Sequence, residues 1–227
     1  MRVIVIRHHA EDSPGFIADA FTGQGADIST YLCPPAELPS LAGVDHVVVL
    51  GAMPSVNDAP ELGWIEAELA WLRQADAAGV PVLGICFGAQ ALCAALGGQV
   101  ERAPAKEVGW RLVQTVDSEL IPAGPWLEFH GDRCLPPAQA TIWATNEVGV
   151  QAFSIGRHLA VQFHPEVDGV QLRGWLEGGG RAEAARAGQD PEEFLAQTIA
   201  EEPAARQRAA VLVASAVRLA NVVAARL

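Results

Sequence analysis

The sequence is poor in several features that would define a class of protein. It has one lysine, one tyrosine and four cysteines in 227 residues, and its 27 acidic side chains outnumber its 15 basic ones. The resulting net charge of −12 excludes a broad basic surface, so we expect neither a nucleic-acid nor a membrane partner. The first apolar run, Val3 to Ile6, is too short for a signal peptide, and the cytoplasm is the expected location.

The cysteines lack the spacing of a disulfide framework or a zinc site. Cys33, Cys86, Cys93 and Cys134 form no Cys-x-x-Cys pair and have no closely spaced histidine. This usage is typical of a reduced cytosolic protein, and we predict no metal site. The triglycine at 178–180 lacks the Lys-Ser/Thr of a phosphate-binding loop, so we expect no ATP site and no cofactor.

Short β-branched runs separated by helical patterns predict a parallel α/β sheet. The runs lie at 3–6, 47–50 and 80–85, and apolar residues recur at helical spacing over 14–25 and 60–79. Strands with so few polar residues are typical of a sheet buried on both faces. The alternation therefore indicates an open, doubly wound, mostly parallel sheet with helices on both sides.

The pattern changes after residue 99. Short β-like runs at 110–116, 141–144, 148–153 and 158–163 follow with no long helical period, which predicts an antiparallel extension of the sheet. Beyond Val167 the chain becomes helical, and helices over 191–200 and 203–226 each open with proline. We expect a single domain over 1–227, with a core of about 1–170 and a helical extension of about 171–227. The apolar last helix packs on the domain or forms a homodimer interface.

The segment 82–92 predicts a nucleophile. An apolar strand leads into Gly84-x-Cys86-x-Gly88, and a helix follows at once. Small residues on both sides permit the sharp strand-to-helix turn that lifts a nucleophile above a sheet. The helix N-terminus favours the thiolate of Cys86 and presents the Phe87 amide to a developing oxyanion. Alone, the motif also fits a buried cysteine beside a tight turn.

The segment Gln-Phe-His-Pro-Glu at 162–166 supplies a base and its partner. Residues two apart on an extended segment project to the same side. Glu166 can then accept the Nδ1 proton of His164 and leave Nε2 facing the thiol. By itself His-Pro-Glu also fits a surface turn, but together with the nucleophile motif it predicts a Cys86/His164/Glu166 triad.

These two motifs resemble those of the class I, triad-type glutamine amidotransferases, in particular the glutaminase domain of GMP synthetase. The resemblance covers roughly residues 1–170 and implies a flavodoxin-like sheet. It also implies that Cys86 attacks the γ-amide of glutamine and forms a γ-glutamyl thioester, which water hydrolyses. His164 accepts the thiol proton and returns it to the leaving ammonia, while Glu166 orients His164.

Further site residues are implied by the same resemblance. Gln90 matches a position that contacts bound glutamine, and the flanking strand of the family matches Val108, Gly109 and Trp110. The Gly-Gly-Pro oxyanion loop of the family corresponds to the segment from Gly51 and Ala52 to Pro54, so the Gly51–Ala52 turn is an expected donor beside Phe87. Alanine tolerates a positive φ poorly, so we expect this loop to be shaped differently.

Three functions remain open. The first is a stand-alone amidotransferase that releases ammonia for a synthase or acceptor subunit, because we see no room for a synthase domain. The second is a γ-glutamyl hydrolase that acts on γ-glutamyl amines or peptides with water as acceptor. The third, a non-catalytic regulatory protein of the same fold, is disfavoured because Cys86, His164 and Glu166 are all present.

Overall fold

A mixed sheet of eight strands carries the fold, and a separate strand pair lies beside it. The computed structural model describes residues 1–34 and 36–224. Within them the strands are β1 Arg2–Arg7, β2 Asp27–Leu32, β3 His46–Val49, β4 Val82–Ile85, β5 Gln99–Arg111, β6 Gln114–Thr115, β7 Trp126–Leu135, β8 Thr141–Thr145, β9 Val150–Ile155 and β10 His158–Val161. The α-helices are α1 Gly15–Gly23, α2 Gly63–Ala77, α3 Phe87–Ala95, α4 Gly169–Trp175, α5 Arg181–Arg186 and α6 Pro191–Ala224.

The sheet runs in the order β2-β1-β3-β4-β10-β9-β8-β6. Its first five strands pair in parallel, and β10 then pairs antiparallel with β9, so the last three strands form an antiparallel extension. Strands β5 and β7 form the separate antiparallel pair. The predicted fold class, a mostly parallel doubly wound sheet with an antiparallel extension and C-terminal helices, is confirmed.

The buried strands explain why helices cover both faces. Along β1, Val3 and Val5 join an apolar cluster with α1 and α6, whereas Ile4 and Ile6 join another with α2 and α3. Side chains of a strand alternate between faces, so an unbroken apolar strand needs cover on both sides. This layering places the carboxyl ends of β1, β3, β4 and β10 along one edge.

Some predicted boundaries differ from the structure. Strand β2 was not predicted because it lies at the sheet edge and carries polar residues such as Ser29 and Thr30. The predicted strand at 110–116 divides between the end of β5 and the short β6.

The two predicted C-terminal helices are one continuous helix, α6, with Pro203 inside it. Proline removes one helical hydrogen bond, but Thr198 and Ala205 on either side are buried in the same layer, and this packing keeps the helix continuous. The predicted end at Arg226 lies outside the described residues.

Helix α6 packs along the domain. By length and composition it could cross a membrane, and it is the one such helix among the described residues. Its buried face, including Phe194, Leu212 and Ala216, belongs to the apolar cluster shared with α1. The Arg206 guanidinium stacks on the Phe16 ring at 4.5 Å, which links α6 to α1 from outside.

Candidate active site

Cys86 occupies a strained turn between β4 and α3. Its backbone has φ 53° and ψ −107°, and it is the one non-glycine with a positive φ among the described residues. A Cβ on Gly84 would lie 2.6 Å from the Gly88 carbonyl oxygen, and one on Gly88 would lie 2.2 Å from that of Val49. Both glycines are therefore required by close backbone approach, as predicted for a nucleophile turn.

His164 follows β10 and lies between a carboxylate and the thiol. Its Nδ1 is 2.7 Å from Glu166 Oε1, and the Cys86 side chain is close enough to raise its pKa. All three residues are buried. Burial alone lowers the pKa of His164, but the charges of Glu166 and the Cys86 thiolate outweigh it and hold this pKa well above its usual value. The arrangement favours the charged form of the His164 imidazole beside the Cys86 sulfur.

The loop after β3 lies against this pair. A Cβ on Gly51 would be 3.0 Å from His164 Cε1 and 3.7 Å from Cys86 Cβ, so glycine is needed here for close approach. Neither Gly51 nor Ala52 has a positive φ, so Ala52 has a backbone conformation that alanine adopts without strain. Among the described residues the Ala52 amide donates to no protein acceptor, which leaves it free for a ligand.

A second buried histidine supports this loop. His8 Nδ1 lies 2.8 Å from the Gly51 carbonyl oxygen, and its Nε2 lies 3.0 Å from Glu68 Oε2. Since both partners only accept, both ring nitrogens carry a proton. Burial lowers the pKa of His8, but the hydrogen bond and charge of Glu68 and the Gly51 carbonyl raise it above its usual value. The ring also packs edge-on against Phe87 at 4.9 Å.

The role of Glu68 was missed, although the sequence carried a signal. Glu68 lies on α2 three residues after Ile65 and four before Leu72, so it falls on the apolar face of the helix. A carboxylate on such a face is buried only when it is paired. Its side chain is 1% exposed and His8 is the partner.

Two cavities open beside Cys86, and the smaller is polar. It has a volume of about 180 Å³, and Gln90 lines it. Gln90 is buried rather than solvent-facing, and its Nε2 donates to the Asp132 carbonyl at 3.4 Å and to Gln162 Oε1 at 3.3 Å. The predicted Gln90 side chain thus lies in the same cavity as the thiol.

Charged side chains of both signs line the smaller cavity. Arg102 Nη1 pairs with Asp132 Oδ1 at 3.0 Å, and Lys106 Nζ pairs with Glu183 at 2.5 Å. Ser55 Oγ donates to the other oxygen of Asp132. These groups come from different elements, so no local sequence pattern had indicated them.

The larger cavity has a volume of about 400 Å³ and is walled by aromatic side chains. His164 lines it together with Trp64, Phe129 and Trp175. The Trp175 ring meets the His164 ring edge-on at 4.9 Å. The two cavities therefore share Cys86, but of the two only the larger is lined by His164.

The residues predicted to flank glutamine lie on β5, outside the two cavities. Val108, Gly109 and Trp110 lie on β5, and none of them lines either cavity. Val108 and Trp110 are in the core, where Trp110 Nε1 donates to Thr198 Oγ1 at 2.9 Å. The structure thus places these three residues outside both cavities, with Val108 and Trp110 in the same apolar cluster as Cys86.

His130 is held between two carboxylates. Its Nδ1 donates to the Asp132 carbonyl at 2.8 Å, while Nε2 lies 3.1 Å from Glu107 and 3.2 Å from Glu128. Burial lowers the pKa of His130, but Glu107 and Glu128 raise it to about 10. Burial also raises the pKa of Glu128. Glu128, His130 and Asp132 alternate with other residues along β7, so they share one face of the strand, and this spacing is the sequence signal for the cluster.

The same cluster is the candidate for a metal in the described part of the chain. Ligand atoms of Glu107, Glu128 and His130 all lie within 4.8 Å of one another. The protonated imidazole already occupies the position between the carboxylates that a cation would take. We therefore assign the cluster no metal.

The sequence matches a known family over most of this sheet. The family model described as glutamine amidotransferase class-I matches residues 17–173. The chain belongs to this family. The class I amidotransferase is 37% identical over 140 residues to GMP synthase (glutamine-hydrolyzing) of Nitrosomonas eutropha, covering 53% of this chain and 25% of that protein. Its identity to the Brucella melitensis protein of the same name is 35% over 138 residues, covering 48% and 27%. The chain thus spans about a quarter of these relatives.

Solved structures match nearly the whole amidotransferase. A glutamine amidotransferase from Thermotoga maritima superposes with a TM-score of 0.86 and 26% identity, covering 96% of this chain and 98% of the other. A glutamine amidotransferase from Methylobacillus flagellatus gives a TM-score of 0.86 at 24% identity, covering 96% and 94%, and shows the shared fold. The resemblance predicted from the motifs is confirmed.

Proposed function

We propose that this amidotransferase hydrolyses the γ-amide of glutamine and releases ammonia. The observation that supports this most directly is the placement of Cys86 on a strained turn, with the Gly51 loop against both Cys86 and His164 and with Glu166 Oε1 2.7 Å from His164 Nδ1. A nucleophile, a base and an orienting group in this order support covalent catalysis. Membership of the class I family supports glutamine as the substrate.

The reaction proceeds in two steps, acylation of Cys86 and hydrolysis of the thioester. The Cys86 thiolate attacks the γ-carbonyl carbon, the C–N bond breaks, and His164 gives its proton to the departing ammonia. A water molecule then attacks the thioester and gives a proton to His164. The C–S bond breaks, glutamate leaves and the thiolate is regenerated, while Glu166 holds the imidazole in one orientation throughout.

Backbone amides would stabilise the intermediate. Phe87 begins α3, where first-turn amides have no intrahelical partner, and the Ala52 amide is free among the described residues. The Phe87 amide follows Cys86 directly at the start of α3. The Ala52 amide belongs to the Gly51–Ala52 turn, which lies against the Cys86 side chain. One such donor contributes about a hundredfold to a thousandfold in kcat.

The smaller cavity suits the amino-acid end of the substrate. Glutamine carries an α-ammonium and an α-carboxylate, and the cavity wall offers Asp132 and Glu183 beside Arg102 and Lys106. Complementary charges of both signs favour a zwitterion over a singly charged ligand. Gln90 adds a buried amide to this cavity.

The ammonia would pass to an acceptor enzyme. Two relatives are named GMP synthase (glutamine-hydrolyzing), and this chain covers about a quarter of each. We propose a synthase or acceptor subunit outside the described chain as the consumer of ammonia. This partner supplies the chemistry that activates the acceptor.

The first prediction tests the nucleophile. Cys86→Ala should reduce ammonia release from glutamine by at least about a thousandfold, because the covalent route is lost. A glutamine-like electrophile should label Cys86 alone, as seen by peptide mass spectrometry. Cys33→Ala, which removes a cysteine from the core behind the site, is the control and should keep both activity and labelling. Equal labelling of Cys33, Cys93 and Cys134 would contradict the assignment.

A further inference from the structure

The two cavities meet at Cys86 and differ in which catalytic group they contain. His164 and Glu166 line the larger cavity and not the smaller one. A proton donor for the leaving amine must lie on the side to which that amine departs. With the amino-acid end of the substrate in the smaller cavity, the departing nitrogen faces the larger one.

The larger cavity has a much greater volume than an ammonia molecule. Ammonia is about the size of water, whose share of liquid volume is about 30 Å³. The cavity on the His164 side has a volume of about 400 Å³. Its walls include Trp64, Phe129 and Trp175, which offer flat apolar surface to a ligand. The space fits an amine with a sizeable apolar substituent.

The charge of this cavity narrows the ligand class. Among the described residues that line it there is no lysine and no arginine. Glu11 and Asp12 line it and take part in none of the ion pairs of the described chain. The charged rings of His8 and His164 also line it, but each is already paired with a buried carboxylate, Glu68 and Glu166. A leaving group with a free carboxylate, such as an amino acid or peptide, would therefore meet like charge from Glu11 and Asp12 and find no unpaired cation among the described lining residues.

We infer that the site accepts γ-glutamyl amides whose amine carries an aromatic or bulky apolar group and no carboxylate. This inference rests on the proposed thioester function, since it uses the same Cys86 and His164. The γ-carbonyl to nitrogen bond breaks, His164 protonates the departing amine, and water later releases glutamate from the thioester. The larger cavity holds the substituent on the amine during the first step.

A panel of four substrates tests this inference on the full chain. They are glutamine, γ-glutamylmethylamide, γ-glutamylbenzylamide and γ-glutamylglutamate, each assayed for released glutamate or amine. Benzylamine is about as basic as ammonia, so a gain for the benzylamide reports binding of the ring. We expect its kcat/KM to exceed that of glutamine and of the methylamide by at least about tenfold, because the ring is buried against apolar walls. γ-Glutamylglutamate should be the poorest conjugate.

A substitution that fills the larger cavity tests whether the preference for the benzylamide arises there. Gly174 lines the larger cavity on α4, and a Cβ there would come no closer than 4.0 Å to Glu11 Oε2. Gly174→Leu should lower the benzylamide to methylamide ratio of kcat/KM by at least about fivefold, because the added side chain occupies the cavity. Gly23→Leu is the control, because Gly23 ends α1 away from both cavities and has open space around it. A general folding defect would change both substrates and leave the ratio alone.

The outcomes separate this inference from the proposed function. If glutamine is hydrolysed and Cys86 is labelled, but the benzylamide gains nothing or γ-glutamylglutamate equals it, the inference is wrong and the glutaminase stands. An unchanged ratio in Gly174→Leu also overturns the inference. If no substrate is hydrolysed and the electrophile does not label Cys86, both the inference and the proposed function are wrong.

Discussion

At the scale of single residues, two buried histidine–carboxylate pairs surround the thiol. His164 and Glu166 lie on one side, and His8 and Glu68 lie behind the loop that carries Gly51. Both His8 nitrogens face acceptors, so the pair stabilises the loop only while the ring is charged. A charged group with buried partners makes the stability of this region depend on pH.

The second prediction concerns His8→Gln. The pKa of His8 is raised in the folded state above its usual 6.5, so its stabilising contribution is full below pH 6.5 and is lost as pH rises through the folded pKa. The variant should unfold more easily by about 2–4 kcal/mol at pH 6, and this deficit should shrink toward pH 9. Urea unfolding at both pH values measures it.

The neighbouring exposed histidine gives the matched control. His9→Gln should change the free energy of unfolding little at either pH. A deficit for His8→Gln that stays constant or grows with pH would show that the ring is not charged in the folded protein. A fall in kcat with little change in KM would follow from displacement of Gly51.

At the scale of elements, the strands and helices that can be predicted from the sequence are those whose own residues carry a hydrophobic pattern. Strands β1, β3 and β4 were recognised from β-branched runs, and α2 from its apolar spacing. The edge strand β2 and the continuous α6 were missed, because pairing with β1 and packing against α1 decide them. Both depend on residues distant in sequence.

The third prediction tests the contact between β5 and α6. Thr198→Val keeps the shape of the side chain but leaves the buried Trp110 Nε1 without its acceptor. The free energy of unfolding should fall by about 1–3 kcal/mol in urea titrations. The exposed Thr22→Val on α1 should have little effect. A large loss of kcat/KM for glutamine in folded Thr198→Val would instead support the substrate role predicted for Trp110.

At the scale of the whole molecule, the site combines motifs with distant walls. Cys86, His164 and Glu166 were predicted because each lies in a short, recognisable segment. The charged wall of the smaller cavity was not, because Arg102 and Glu183 come from β5 and α5. The chain carries a net charge of −12, so the cations near the thiol are a local exception to the overall field.

The backbone of Cys86 has a consequence for heat and denaturant resistance. A non-glycine held at φ 53° costs about 1–3 kcal/mol, which the rest of the fold must offset. Cys86→Gly should therefore resist urea better than Cys86→Ala by about 1 kcal/mol, although glycine usually weakens a protein relative to alanine. Ala94→Gly in α3 should show the usual order, and a Cys86→Gly weaker than Cys86→Ala would contradict the strain.

If this order holds, the protein is less stable than its own Cys86→Gly variant because of the backbone conformation of one residue. Selection for thermal stability alone would then replace Cys86. Retention of this cysteine during evolution would therefore be evidence that its thiol is used.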